Sequence, residues 1–418
     1  MILLGLDVGT TSVKAAAFDS DLAELSHGRA PTPWAGTELD PDALLDAALA
    51  AATAALPPGA EVAAIGVAGM AETGVLVDDD ARPVVPSIAW HDPRGAAEAR
   101  RIAAELPEFS ERTGLPATTL CTLAKYAWMR AHWPDAARGT RWINVAEWIV
   151  QGLGGDRRAE SSLASRTGFY DLHTGGPWEP ALTWVDAPAG LAPPHVPAGT
   201  PLGRARGPFD GAVLAVGGHD HLAAAVGAGA AGEGDVLDSC GTAEAILRAT
   251  PPLPPDIVAR AVGEGFTVGW HAIPGRFVLQ GAVWAGEALQ AVCDLLGVDP
   301  EARDALEAAA LEADPGPLAL HGLDDDTLTV TGLTGGASPG ALYRATLERI
   351  GAGGASVLAR MEALAGPAQR LVVTGGWAEG VAAQAVKRAH LGPFHHDREI
   401  FAGARGAAIA AKRALART

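Results

Sequence analysis

The sequence predicts an α/β protein built from two related halves, and three observations predict it. Short apolar runs alternate with Ala-rich stretches along the whole chain, the pattern of strands interleaved with helices. The stretch "GLDVGTTSVKAAAFD" (5–19), a strand, a Gly-Thr-Thr turn and a second strand, has an echo in "GDVLDSCGTAEAILRA" (234–249). At 418 residues the chain exceeds one ordinary core, so two domains are expected.

Taken in order, apolar runs predict strands at 2–6, 13–18, 62–69, 74–78, 212–218, 245–249, 277–280 and 370–376. Helices are expected at 41–56, 95–106, 285–297, 338–364 and 379–391. The segment "ALLDAALAAATAAL" (43–56) is the longest apolar run, yet it contains Asp46 and stops at Pro57-Pro58, so it reads as a packed helix and not a membrane span. The helix at 338 has Ser338 placed to cap it and Pro339 at its first position. Pro/Gly-rich stretches at 174–211 and 250–256 read as loops. The expected cut between the domains falls at 231/232.

The duplication extends further. "IGVAGMAETG" (65–74) follows the first hairpin and "LVVTGGWAEG" (371–380) follows the second. Matching Gly69 to Gly376 also matches Ala71 to Ala378 and Glu72 to Glu379. Two such halves facing each other would place their glycine-rich turns around one interdomain cleft.

Composition excludes several classes. A formal charge of −18 leaves no basic excess to displace counterions, which argues against a nucleic-acid or anionic-membrane partner. The three cysteines, Cys121, Cys240 and Cys293, are far apart, so neither a disulfide framework nor a zinc knuckle is supported. "MILLGL" lacks a basic leader and meets Asp7 too early for a signal peptide. The expected location is cytoplasmic.

A Gly-Thr turn between strands has a definite chemistry. Its backbone N–H groups and hydroxyl can point at phosphate oxygens. A carboxylate just before such a turn cannot bind phosphate, but it suits a hydrated Mg²⁺ that accompanies phosphate. A plain hairpin whose Asp and Thr satisfy local backbone groups is the alternative; two copies together with "TGGWAEG" favour a two-part nucleotide cleft.

These residues resemble the FGGY family of carbohydrate kinases, within the actin/hexokinase-like ATPases. The first hairpin looks like the family's opening phosphate turn. "IGVAGMAETGVLVDDDARPVVPSIAWHDPRG" (65–95) is similar to its second block and "VLAVGGHDHLAAAVGAGA" (213–230) to its catalytic block. "LDSCGTAEAIL", "VVTGGWAEG" and "FAGARGAAIAA" (401–411) resemble its second phosphate hairpin, adenosine-side turn and closing helix. The segment Leu-Ser-Gly-Glu-Arg-Thr-Pro expected before residue 333 is absent, and "LALHGLDDDTLTVTGLTGG" (318–336) stands there.

The resemblance implies two actin-like (ribonuclease H-like) domains. Residues 1–231 would hold a sugar or polyol and the catalytic base; residues 232–418 would mainly bind nucleotide. It implies ATP and Mg²⁺, phosphoryl transfer to a hydroxyl of a small sugar or polyol such as xylulose, and in many relatives a homodimer. Asp220 would be the general base, although the same residue suits a helix N-cap. Asp7 would hold Mg²⁺ through water. Thr10, Thr11 and Lys14 would contact phosphates from the first domain and Gly241 and Thr242 from the second, while Gly375 and Gly376 would line the nucleotide side. Glu72, Trp90, Asp92 and His221 would meet the acceptor, while Glu244 reads equally as a buried structural carboxylate. Two other readings stand beside this one: a sugar sensor on a kinase scaffold, and a metal-dependent hydrolase using His219, Asp220 and His221.

Overall fold

The computed structural model describes residues 1–241, 243–322, 328–399 and 401–418. Packing divides them into two units. The first comprises Met1–Ala231, Pro251–Val278 and Phe401–Thr418; the second comprises Gly232–Thr250 and residues 279–400. A single cut at 231/232 therefore differs from the packing in two places. Segments 251–278 and 401–418 return to the first unit, because their apolar residues pack there.

In the first unit, β1 (Ile2–Val8), β2 (Ser12–Phe18), β3 (Glu24–Pro31), β4 (Val62–Gly69) and β5 (Val213–His219) form one sheet in the order β5-β4-β1-β2-β3. Strands β1, β4 and β5 are parallel and β2 runs against both its neighbours, so in chain order the sheet reads 3-2-1-4-5. Side chains alternate across it. Leu4, Leu6 and Val8 face α1 (Pro41–Ala54) and α2 (Val145–Gly152), whose Leu44, Ala48 and Ile149 complete a core. Leu3 joins Ala16, Phe18 and Ala64 under the C-terminal helix Ala402–Leu415, against Ala404, Ala408 and Ala411.

That helix lies very close to the sheet. A Cβ on Gly5 would stand 1.8 Å from the Ala404 carbonyl oxygen, and one on Gly66 would stand 1.9 Å from that of Ala407. Glycine on the strands and alanine on the helix are what let backbone meet backbone. The small-residue composition of "FAGARGAAIAA" is thus a packing requirement.

The second unit repeats the plan. Strands β6 (Asp235–Cys240), β7 (Glu244–Thr250), β8 (Phe277–Val283, in this unit from Leu279 on), β9 (Arg370–Thr374) and β10 (His395–His396) are ordered β8-β7-β6-β9-β10. Counted within the unit this is again 3-2-1-4-5, with β6 antiparallel to β7 and parallel to β9. Its long helix Pro339–Ala365 begins as expected, with Ser338 accepting from the Ala341 N–H at 3.1 Å. The shared strand order establishes the duplication more firmly than the sequence match. It also shifts that match: Gly69 pairs with Val8 while Thr374 pairs with Ser239. Once Asp7 is aligned with Asp238, Gly69 corresponds to Thr374 and not Gly376.

Candidate active site

Asp7 lies on β1 on the same face as Leu3 and Gly5, so it points toward the first turn of the C-terminal helix. A Cβ on Gly403 there would come within 2.5 Å of Asp7 Oδ2. Asp7 Oδ1 is buried with no hydrogen-bond partner. Burial and then the neighbouring Asp220 charge push its carboxyl up to about 6, against Lys14, its cross-strand partner. Two carboxylates held together around one unfilled acceptor suit a cation.

Asp220 is the first residue of α3 (Asp220–Gly227), directly after β5. Parallel strands deliver functional groups at such carboxyl ends. Its Oδ1 accepts from the His221 N–H at 2.7 Å and lies 3.2 Å from His219 Nε2. Burial raises its carboxyl, but His221, His219 and Lys14 outweigh that and hold it below the ordinary range, so it is ionised and able to accept a proton. His219 is pushed down to about 3 by burial, so its imidazole is neutral where it lies beside Asp220. Ligand-type atoms of His219, Asp220 and His221 do lie within 4.8 Å of one another, but His219 Nε2 already faces the carboxylate.

The hairpin tip is held in place from behind. Thr32 Oγ1 donates to the Gly9 carbonyl at 2.7 Å and Trp34 Nε1 to that of Thr10 at 2.6 Å. Trp90 Nε1 donates to Thr10 Oγ1 at 2.8 Å, so Trp90 and Thr10 are joined directly. Thr11 is exposed at the tip and Lys14 half-buried.

Glu72 has a left-handed backbone with φ 62°, a strained conformation for a non-glycine residue and one that clusters at functional sites. Its Oε1 accepts from Arg166 Nε at 2.6 Å, and Arg166 Nη1 donates to Thr267 Oγ1 at 2.7 Å. The Arg166 charge also reaches His219, which connects Glu72 to the Asp220 turn. Nearby, Lys125 is fully buried. Its Nζ donates to the Trp90 carbonyl at 2.8 Å and to that of Thr119, and burial lowers it to about 8.

Asp92 is differently employed from the acceptor contact expected of it. Both its oxygens are taken by Arg94, at 2.9 and 2.8 Å, and Arg94 continues to Glu38 at 2.6 Å. Burial raises the Asp92 carboxyl, yet the Arg94 bonds hold it down at about 2. With both oxygens bound in a fork, it fixes the 90–94 turn.

In the second unit, Gly375 has φ 102° and a Cβ there would be 2.4 Å from the Cys240 carbonyl oxygen. The Gly375-Gly376 turn therefore abuts Gly241, whose N–H bonds the Ser239 and Ala243 carbonyls at 3.1 and 3.2 Å. Thr242 lies outside the described residues. Glu244 is the structural carboxylate: with Asp238 and Cys240 it surrounds Lys387, whose Nζ is 2.7 Å from Asp238 Oδ2 and 2.9 Å from Glu244 Oε2.

Sequence reasoning missed Arg166, Lys125 and the polar run around Ser162. The signal for Arg166 and Ser162 was "AESSLASRT" (159–167), charges set among small residues without periodicity.

Residues 2–227 match the model of the N-terminal domain of the FGGY family of carbohydrate kinases. The chain is 30% identical over 415 residues to a xylulose kinase of Streptomyces rubiginosus, covering 93% of this chain and 82% of that one. It is 31% identical over 416 residues to a glycerol kinase of Trichlorobacter lovleyi, covering 90% and 82%. The crystal structure of a xylulose kinase from Rhodospirillum rubrum superposes with a TM-score of 0.86 at 26% identity, covering 98% of this chain and 90% of that one.

Proposed function

Because the chain belongs to the FGGY family of carbohydrate kinases, we propose that it phosphorylates a small ketose, xylulose foremost, with Asp220 as general base. The observation that carries this reading is the placement of an ionised Asp220 at the end of β5, beside Asp7. Asp220 accepts the proton of the acceptor hydroxyl as that oxygen bonds to the γ-phosphorus of ATP. The bond from phosphorus to the β–γ bridging oxygen breaks, and ADP leaves. Thr10, Thr11 and Lys14 orient the phosphates from the first unit. Gly241, Thr242, Gly375 and Gly376 give the second unit its nucleotide contacts, since glycine lets backbone N–H groups approach phosphate closely.

The unfilled Oδ1 of Asp7 fits Mg²⁺, which when bound would offset phosphate charge. Glu72 and His221 offer hydrogen bonds to acceptor hydroxyls, with Arg166 orienting Glu72. Trp90 acts on the hairpin through Thr10 as much as on the acceptor, and Asp92 acts through Arg94.

Xylulose leads because full-length similarity to xylulose kinases is accompanied by the same fold at 26% identity. Glycerol is the second reading, favoured by Glu72 in "AETG" and by the comparable match to glycerol kinases. A coupled ADP-release screen of ketoses, polyols and aldonates, run on wild type and Asp220→Asn, decides between them. Release with D-xylulose that falls at least ~100-fold in the variant supports the reading. Release with none of the acceptors favours the sensor.

A further inference from the structure

A general base is only as well placed as the turn that holds it. The turn before Asp220 contains Gly218, with φ 101°, and a Cβ there would lie 2.7 Å from Ser162 Oγ and 3.5 Å from Glu160 Oε2. Ser162 therefore packs directly against the backbone that aims the base.

The hydrogen-bond directions are fixed by proton count. Ser162 has one hydroxyl proton and gives it to Glu160 Oε2 at 2.6 Å. Its oxygen is then free to accept the His219 backbone N–H at 3.0 Å, and His219 Nε2 in turn faces Asp220. Glu160 Oε2 also accepts the Leu163 N–H at 3.1 Å. Glu160 is anchored in its turn, since its own N–H donates to Glu147 Oε1 at 2.7 Å. Glu147 closes a capping box with Asn144 at the start of α2. A chain of hydrogen bonds thus runs from a helix cap to the backbone N–H of His219, the residue before the base.

The composition of this chain is costly for a scaffold. Glu160 and Ser162 are buried, Glu160 Oε1 has no partner, and neither Glu160 nor Glu147 forms an ion pair with Lys or Arg among the described residues. Buried carboxylates without a cation are disfavoured, and an amide or a second hydroxyl would satisfy the Leu163 N–H more cheaply. What Glu160 adds is the Oε2 acceptor that takes the Ser162 proton and so leaves the Ser162 oxygen to the His219 N–H.

We propose that Glu160 and Ser162 are positioning residues for Asp220, holding the His219–Asp220 turn at the angle that phosphoryl transfer needs. The inference rests on Asp220 being the base.

The test uses the full-length enzyme with ATP and D-xylulose, or glycerol if that is the acceptor turned over. Ser162→Ala is expected to lower kcat about 10- to 100-fold, the effect of a small misplacement of a reacting group, with both KM values within about threefold of wild type. Glu160→Ala should do the same, and Glu160→Gln, which keeps an oxygen for Ser162, should recover most of the loss. In an Asp220→Asn background Ser162→Ala should cost nothing further, because residues acting as one unit are not additive. Wild-type kcat in Ser162→Ala, or an equal loss in both backgrounds, overturns the proposal. Should Ser162→Ala not fold, the Glu160→Ala and Glu160→Gln pair decides alone, and equal kcat in the two overturns it. If Asp220→Asn itself keeps turnover, the base assignment fails. If Asp220→Asn is inactive while the Ser162 and Glu160 variants match wild type, only the positioning role fails.

Discussion

Glu244→Gln tests how the second unit tolerates buried charge. In wild type, Lys387 lies between two buried carboxylates, Asp238 and Glu244, and Glu244 Oε1 has no hydrogen-bond partner among the described residues. Burial first, and then the Asp238 charge, push the Glu244 carboxyl from 4.5 up to about 7. A rise of that size corresponds to about 3 kcal/mol at 1.36 kcal/mol per unit. The folded protein thus holds this proton more tightly than the unfolded chain. Its contribution to stability is complete below pH 4.5 and is lost as pH rises through 7. An amide cannot titrate, and its oxygen can still accept from Lys387. The stability of Glu244→Gln relative to wild type should therefore climb by about 3 kcal/mol between pH 4.5 and pH 8, most of it between pH 5 and 7.5. Equilibrium urea denaturation at half-unit pH steps reads this difference directly. A difference that stays flat across the range, or that falls, refutes the reasoning.

Other changes separate packing from chemistry. Gly406→Ala puts a methyl 1.8 Å from the Ala223 carbonyl oxygen, where the C-terminal helix crosses α3; it should destabilise by about 1–3 kcal/mol and lower kcat through Asp220, read by thermal denaturation and turnover together. Gly375→Ala meets both a left-handed φ and the Cys240 carbonyl, so it should cost about 1–3 kcal/mol and raise the KM for ATP more than that for the acceptor. Asp92→Asn loses the Arg94 fork and should lower the melting temperature while acceptor KM changes little. Glu72→Gln, by contrast, should raise acceptor KM by about tenfold, the effect of roughly 1.4 kcal/mol of lost binding.

Most of the longer strands buried on both faces were legible, although the short strand Arg141–Asn144 was not. The 62–69 strand falls where its apolar run predicts, and the 338–364 helix is displaced by one residue. Strand β3 escaped notice because "ELSHGRAP" is an edge strand that buries only Gly28 and Ala30. Edge strands need no continuous apolar run. The helices at Thr122–His132 and Arg303–Glu312 were missed too. The positions of Asp7 before a turn and of Asp220 after a strand follow local pattern and could be read. Arg166 could not, because its meaning depends on Glu72, ninety-four positions earlier. Asp92 was assigned to the acceptor because an isolated sequence does not reveal that Arg94, two residues on, occupies both its oxygens.

The two units share a strand order but not a chemistry, and the difference lies in one side chain each. Asp7 and Asp238 occupy corresponding places on the central strands of the two sheets. Asp238 is fully buried and neutralised by Lys387, reaching across from the helix Val381–Leu391. Asp7 faces the glycine of the closing helix, Gly403, where even a Cβ would come within 2.5 Å of its Oδ2. One oxygen of Asp7 is left unfilled, and its proton affinity is raised by burial and then by a second carboxylate. A lysine opposite Asp7 would pair with it, as Lys387 does with Asp238, and would remove the place for a cation. The duplicated hairpin therefore has an acid paired with a lysine in one unit and an acid with an unfilled oxygen in the other. Introducing a cation beside Asp7 by Gly403→Lys is sterically closed, so the asymmetry is protected by packing as well as by charge.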